Sequence, residues 1–135
     1  MFVQIAQQNI DNAGVSSKVN LLVGPASETL PTLASEEPFD IAFVDADKES
    51  NLDYFLHAKK LVRPGGIIIV DNVVQDGTVS DLSIQNAKVE GTRKLLKYIQ
   101  GDKSVDATTS MCTYPCLLLF PQSLVIFTDR SQFPL

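Results

Sequence analysis

Two apolar runs, each closed by acids, constrain this chain more than any other feature in it. The first is FDIAFVDADK at 39–48 and the second is GGIIIVDN at 65–72. Ile41, Ala42, Phe43 and Val44 lead into Asp45 and Asp47, while Ile67, Ile68, Ile69 and Val70 lead into Asp71 and Asn72. An apolar, β-branched run without polar alternation predicts a strand buried on both faces, as in a parallel sheet. Ligands of open parallel sheets bind beyond the carboxyl ends of the strands. Two such strands side by side would therefore bring Asp45, Asp71 and Asn72 to one edge. These are hard oxygen donors, suited to Mg²⁺ or Ca²⁺. The same residues also serve well as turn formers that simply end strands. Read alone, they leave both possibilities open.

Composition narrows the partners. A length of 135 residues fits one domain, here taken as 1–135, and 44% apolar content is enough for a core. A net charge of −5 argues against nucleic acid or an anionic membrane as the main partner and suits a site that collects cations. Cys112 and Cys116 match neither a CxxC redox pair nor half of a zinc site, so they read as small hydrophobes on a late strand. Met1 runs straight into a helical pattern with no basic leader. The apolar stretch Cys116–Phe120 stops at Pro121, far short of a membrane span. A cytoplasmic protein is expected.

The periodicities give an order of elements. Phe2, Ala6, Ile10 and Ala13 share a face at helical spacing, and Gly14 is the expected stop. Residues 18–23 read as a short strand, and Ala26 or Ser27 opens a short helix with Glu28 in its first turn. A helix is predicted over 52–61, broken by Arg63-Pro64-Gly65-Gly66, with the second core strand at 67–70. Tyr54 reads as a packing residue. The polar segment 75–83 looks like a mobile loop over the strand ends. A helix follows over 84–99, with Val89, Leu95, Leu96 and Ile99 as its apolar side and Gly101-Asp102 as its end. Residues 106–112 and 123–128 are strand-like, and Leu117–Phe120 is a third apolar run between Pro115 and Pro121. The fold class is α/β, with a mostly parallel sheet and an antiparallel end.

With these elements in place, the chain resembles the cation-dependent, S-adenosylmethionine-using O-methyltransferases, the group that includes the caffeoyl-CoA and catechol enzymes. The residues that carry the resemblance are FDIAFVDADK, LVRPGGIIIVDN at 61–72, DGTVSD at 76–81 and GVSSKVNLLVGPA at 14–26. It runs from about residue 3 to about residue 111 and implies a Rossmann-like methyltransferase fold. It also implies roles. Asp45, Asp71 and Asn72 match metal ligands. Lys48 matches a general base, with Asp45 beside it as the second catalytic residue. Asp47 matches a contact to the methyl donor, Ala26 a position whose backbone meets the adenine, and Gly24 falls in the same donor-binding group. Asp76 matches a substrate contact. The implied cofactors are S-adenosylmethionine and Mg²⁺ or Ca²⁺, and the implied acceptor is a catechol-like hydroxyl.

The departures from the family are equally informative. The seven glycines form no GxGxxG-like loop, and no acid follows one to hold a ribose. The family's opening strands, which carry these features, have no counterpart. Asn51 stands where the family usually has tyrosine and Gln75 where an aromatic is common, and 112–135 does not follow the family's closing hairpin. Donor binding by this chain alone is therefore expected to be weak or absent. The missing strands would leave an apolar edge beside 41–45, an aggregation hazard. Three arrangements would cover it. The 19–23 strand could shift across, the tail could fold in with Leu117–Phe120, or a second copy could dock, and a homodimer is the expectation. The activity expected is O-methyl transfer, impaired in the lone chain. The alternative is a non-catalytic dimerising remnant or a truncated gene product.

Overall fold

The computed structural model describes residues 2–33, 37–110 and 116–128. Its centre is a parallel pair of strands, β1 (Phe39–Val44) and β2 (Val62–Val70). The register Ile41↔Ile67, Ala42↔Ile68, Phe43↔Ile69 and Val44↔Val70 runs to the carboxyl ends of both strands. Parallel neighbours need a crossover, and α3 (Asn51–Leu61) supplies it. Tyr54, Phe55 and Ala58 recur at helical spacing and are buried, with Phe55 and Ile68 fully enclosed. Where β1 and β2 meet, Gly66 is required. A Cβ there would lie 2.5 Å from the Asp40 carbonyl oxygen.

Helix α4 (Ala87–Gly101) packs against α3 and the 3-10 turn at Lys48–Ser50. The Asn86 side chain caps it by accepting the Val89 N–H at 3.0 Å. Val89, Leu95 and Ile99 face the core, and Leu96 packs at its margin, as the apolar pattern predicts. Tyr98 meets Phe55 edge to face across the two helices. The sheet is completed by β3 (Asp106–Ser110) and β4 (Cys116–Thr128), in the order β1-β2-β4-β3. β3 and β4 are antiparallel, from Asp106↔Phe120 to Ser110↔Cys116. The expected α/β class, mostly parallel with an antiparallel end, is the one found.

Several local expectations are corrected. Residues 19–23 form no strand, although Val19 has extended φ and ψ. Extended backbone becomes a strand only with a ladder partner, and none of the described strands pairs with this segment. The second core strand begins at Val62, not at Ile67, because the Arg63-Pro64-Gly65-Gly66 turn signal lies inside β2. Helix α4 begins at Ala87, three residues later than predicted over 84–99, because Asn86 provides the cap. Pro121 does not divide the tail. Cys116 through Thr128 is one strand, whereas Cys112 lies outside the described residues.

The largest correction concerns β1, which is not buried on both faces. Phe39, Ile41 and Phe43 alternate along one face and are exposed, Ile41 by 55%, whereas Val44 is fully buried. Helix α3 packs against both core strands, and the face carrying Phe39, Ile41 and Phe43 remains bare among the described residues. The backbone of β1 does gain a partner from the tail. Ile41 pairs with Leu124, Phe43 with Phe127 and Val44 with Thr128, in parallel. This is the tail's later part, not the Leu117–Phe120 run. Leu124 is also the partner of Ile67 on β2.

The ends of α3 and α4 are tied by an ion pair between Lys59 and Asp102. Burial pushes the Asp102 carboxyl up, but hydrogen bonds from Lys59 and Ser104 outweigh it and hold the group at about 2, against an ordinary 3.8. A carboxyl depressed by folding stabilises above its unfolded value and loses that contribution as pH falls through its folded value. Urea unfolding midpoints should therefore drop between about pH 4 and pH 2 in the native chain. In Asp102→Asn that acid drop should be smaller, from a lower starting stability at neutral pH.

Candidate active site

The register of β1 and β2 builds the site. Val44 and Val70 are paired, so Asp45 and Asp71 leave the sheet on adjacent strands, about 4.8 Å apart in the pairing direction. The Asp71 N–H donates to the Val44 carbonyl at 3.0 Å, carrying the ladder into the acids. Asp45 is buried, 6% exposed. The 3-10 turn at Lys48–Ser50 then bends the chain back, and the Lys48 Nζ reaches Asp45 Oδ1 at 3.0 Å. Lys48 is itself only 5% exposed. Lysines are seldom buried, and a buried ion pair contributes little net stability. A sequestered lysine–carboxylate pair at the carboxyl edge of a sheet is a functional arrangement more readily than a structural one.

Gly91 of α4 explains why Lys48 is sequestered. The helix passes so close to the turn that a Cβ on Gly91 would lie 2.2 Å from the Lys48 carbonyl oxygen and 2.6 Å from Glu49 Cα. A glycine inside a helix sacrifices ~1 kcal/mol of propensity relative to alanine. Here it lets α4 seat directly on the backbone that carries Lys48.

Beyond β2 the chain turns sharply. Asn72 has φ 55°, and its N–H donates to Asp71 Oδ1 at 2.8 Å. Gln75 and Asp76 also adopt left-handed φ, 46° and 53°. Asn and Asp tolerate this region but Gln does so at a cost, and such conformations persist where the surroundings fix them. Gln75 Nε2 donates to Thr92 Oγ1 at 2.7 Å and to the Lys88 carbonyl at 3.2 Å. Arg93 donates to the carbonyls of Thr78, Val79, Asp81 and Ile84 at 3.2, 3.0, 2.5 and 2.8 Å. The segment 75–83, expected to be a mobile loop, is thus tied to α4 along its length.

Asp47 lies on the exposed side of the turn. Its Oδ2 accepts the Ser50 N–H at 3.1 Å, and its Oδ1 accepts the Tyr54 hydroxyl. Burial pushes the Asp47 carboxyl up, but the bonds from Ser50 and Tyr54 outweigh it and hold the group below the usual range. Burial and the same Asp47 contact push the Tyr54 phenol up to about 12. Tyr54 therefore packs, as expected, and also orients Asp47.

The predicted residues assemble in part. Asp45 and Lys48 touch, and Asp71 with Asn72 lies one strand away. Gly24 and Ala26 belong to a different segment: Gly24 is exposed with φ 150°, and Ala26 opens the short helix α2 (Ala26–Thr29), which packs on α3. Asp76 is exposed. Two carboxylates and an amide oxygen fit a hard dication chemically. Among the described residues there is no group of three or more His, Cys, Asp or Glu that could hold a metal, so Asn72 would have to complete the set. Sequence reading missed Gly91, Thr92 and Arg93. The lone glycine inside a helical pattern was the available signal.

Comparison with known proteins shows the family and the fold. A family model described as O-methyltransferase matches residues 2–113. A catechol O-methyltransferase of Niastella koreensis is 42% identical over 106 residues, covering 77% of this chain and 48% of that protein. A catechol O-methyltransferase of Mycobacterium tuberculosis is 42% identical over 105 residues, covering 78% and 47%. Among solved structures, the O-methyltransferase TomG of Streptomyces achromogenes, in complex with SAM, matches with a TM-score of 0.80 and 38% identity, covering 87% of this chain and 56% of that one. The O-methyltransferase from Bacillus cereus, in complex with SAH, gives 0.79 and 35%, with the same coverage. The chain spans about half the length of the curated relatives it matches.

Gly91→Ala should destabilise by ~1–3 kcal/mol through overpacking against the Lys48–Glu49 backbone, although alanine favours helices. Gly101→Ala, with open space around its Cβ, is the control and should be neutral or stabilising. Urea melts of both variants check this, and an unchanged midpoint for Gly91→Ala would contradict the close approach.

Proposed function

The chain belongs to the O-methyltransferase family, and from that membership we propose that it works as the acceptor-side half of an S-adenosylmethionine-dependent, divalent-cation-dependent enzyme that methylates a hydroxyl of a catechol-like small molecule. The observation that carries this reading is the buried Asp45–Lys48 pair at the end of β1, beside Asp71 and Asn72 at the end of β2. A bound Mg²⁺ or Ca²⁺, held by Asp45, Asp71 and Asn72, would supply Lewis acidity toward the acceptor hydroxyls. The acceptor oxygen attacks the sulfonium methyl in line, the O–C bond forms as the C–S bond breaks, and positioning supplies most of the acceleration. Lys48 Nζ, in its neutral form, would take up the hydroxyl proton, and Asp45 at 3.0 Å would steady the ammonium that results. Asp47, kept ionised by Ser50 and Tyr54, is an acceptor for donor hydroxyls, with Gly24 and Ala26 lining the donor from the α2 side.

The chain carries no GxGxxG-like loop, so its grip on the donor alone is weak. The same reading gives the bare β1 face, with Phe39, Ile41 and Phe43 exposed, to a second copy of the chain. It places the protein in the cytoplasm. A second reading, a non-catalytic dimerising remnant, is favoured by that same bare face and by the missing loop.

Three experiments test these readings, and the first separates them. Mg²⁺ or Ca²⁺ at about 100 times its dissociation constant should stabilise the chain by ~2.7 kcal/mol, seen as a higher Tm, and Asp71→Ala should abolish the rise. Absence of any cation-dependent shift would leave the remnant. Calorimetric titration with S-adenosylmethionine should show no micromolar binding, and micromolar affinity would show that the lone chain is not impaired. Size-exclusion chromatography with light scattering should report a dimer, and a monomer would remove the second copy from the β1 face.

A further inference from the structure

The two halves of the site are joined by a buried polar bridge. Asn51 and Thr92 are each 0% exposed. Thr92 Oγ1 accepts the Gln75 amide at 2.7 Å from one side and the Asn51 amide at 3.3 Å from the other. Gln75 stands three residues after Asn72, inside the left-handed turn. Asn51 is the first residue of α3, and its backbone N–H donates to the Lys48 carbonyl. A single hydroxyl on α4 therefore connects the turn that carries Lys48 to the turn that carries Asn72. The adjacent Gly91 seats against the Lys48 carbonyl, so α4 touches the lysine turn twice, in two different ways.

The bridge is costly. Asn51 Oδ1 is fully buried and has no hydrogen-bond partner among the described residues, and an unpaired buried acceptor opposes folding. Gln75 is held at a φ of 46°, which a long, unbranched side chain does not favour. Apolar residues of similar volume at Asn51 and Thr92 would remove the unpaired buried acceptor. Polar groups retained at such expense fix one geometry out of several. The geometry fixed here is the spacing between the Asp45–Lys48 corner and the Asp71–Asn72 corner.

We propose that Gln75, Thr92 and Asn51 form a positioning strut that holds the Asn72–Asp76 turn in its left-handed conformation against the Lys48 turn, and so presets the oxygen donors for a hard divalent cation. The cation part rests on the function proposed above, and the conformational part does not. None of the three touches the reacting atoms. They act through Asn72 and Lys48, as outer partners that orient the donors of a metal site.

Hydrogen exchange on the cation-free chain tests the strut directly. Thr92→Val keeps shape and removes the hydroxyl. It should speed amide exchange across 72–78 roughly tenfold while the Leu95–Ile99 core of α4 stays protected, and Thr92→Ser should restore the native rate. Gln75→Leu cuts the strut at its outer end without disturbing the core, so it gives the same readout if Thr92→Val does not fold. Unchanged exchange at 72–78, or acceleration spread evenly into α4, would overturn the strut. Calorimetric titration with CaCl₂ and MgCl₂ reads the second part. Thr92→Val should bind the cation about 10- to 100-fold more weakly than the native chain, with Thr92→Ser near native. If the native chain binds neither cation, the metal reading fails and the exchange data still decide the strut.

Discussion

The parallel register of β1 on β2 is the constraint from which the rest follows. Because Val44 pairs with Val70, the residue after each strand emerges level with the other, and a carboxylate stands at both positions. A slip of one residue would send every side chain of one strand to the opposite face, burying Asp45 where Val44 now sits. Fully buried Val44, Ile68 and Val70 exclude that alternative, since an unpaired carboxylate in their place would be far more costly than any gain in pairing. Gly66 adds a steric lock, because no side chain fits between its backbone and Asp40. The apolar runs thus do more than fill the core. They meter the two acids to one edge of the sheet.

What the sequence revealed divides along physical lines. Strand and helix existence was legible because it is written in local periodicity: α1 (Phe2–Asn12), α3, α4, β1 and β2 follow from the spacing of apolar residues, and the α/β class follows from their order. The level placement of Asp45 and Asp71 was legible for the same reason. Features set by partners distant in sequence were not. Residues 19–23 have strand composition, but a strand exists only where a neighbour accepts its hydrogen bonds. The alternation hidden in FDIAFV could not be read, because all its odd positions are apolar whether or not a layer covers them. The burial of Lys48 depends on Gly91, 43 positions away, and nothing in DADK announces it. Gln75 and Asn51 drew notice only as departures from a family pattern. That both reach Thr92 is a fact of three dimensions.

The bare face of β1 has a simple origin. A parallel sheet is stable when both faces are covered, and α3 packs on the core strands while Phe39, Ile41 and Phe43 stay exposed. Tail residues Leu124–Thr128 satisfy part of the backbone of β1, which addresses its edge. A face is a separate requirement, since hydrogen bonding along the edge leaves side chains standing perpendicular to it in water. Edge and face can therefore be met by different elements, and in this chain only the first is met by the described residues.

Helix α4 is the element that converts two strand ends into one site. Three consecutive residues act on three different segments: Gly91 admits the Lys48–Glu49 backbone, Thr92 receives Gln75 and Asn51, and Arg93 binds the carbonyls of Thr78 through Ile84. Gly91 and Thr92 lie on the same buried stripe of the helix as Leu95 and Ile99, one to two turns on, and Val89, Leu95 and Ile99 anchor that helix in the core. Arg93 is suited to its part because a planar guanidinium offers several donors in fixed directions, so one side chain can hold a turn that has no regular secondary structure of its own. Helix α4 thus ties the chain from Gln75 to Ile84, while the backbone of Asp71 is tied to β1 through the Val44 carbonyl. The Asn72 N–H bond to Asp71 Oδ1 joins these two parts of the fold at the candidate site.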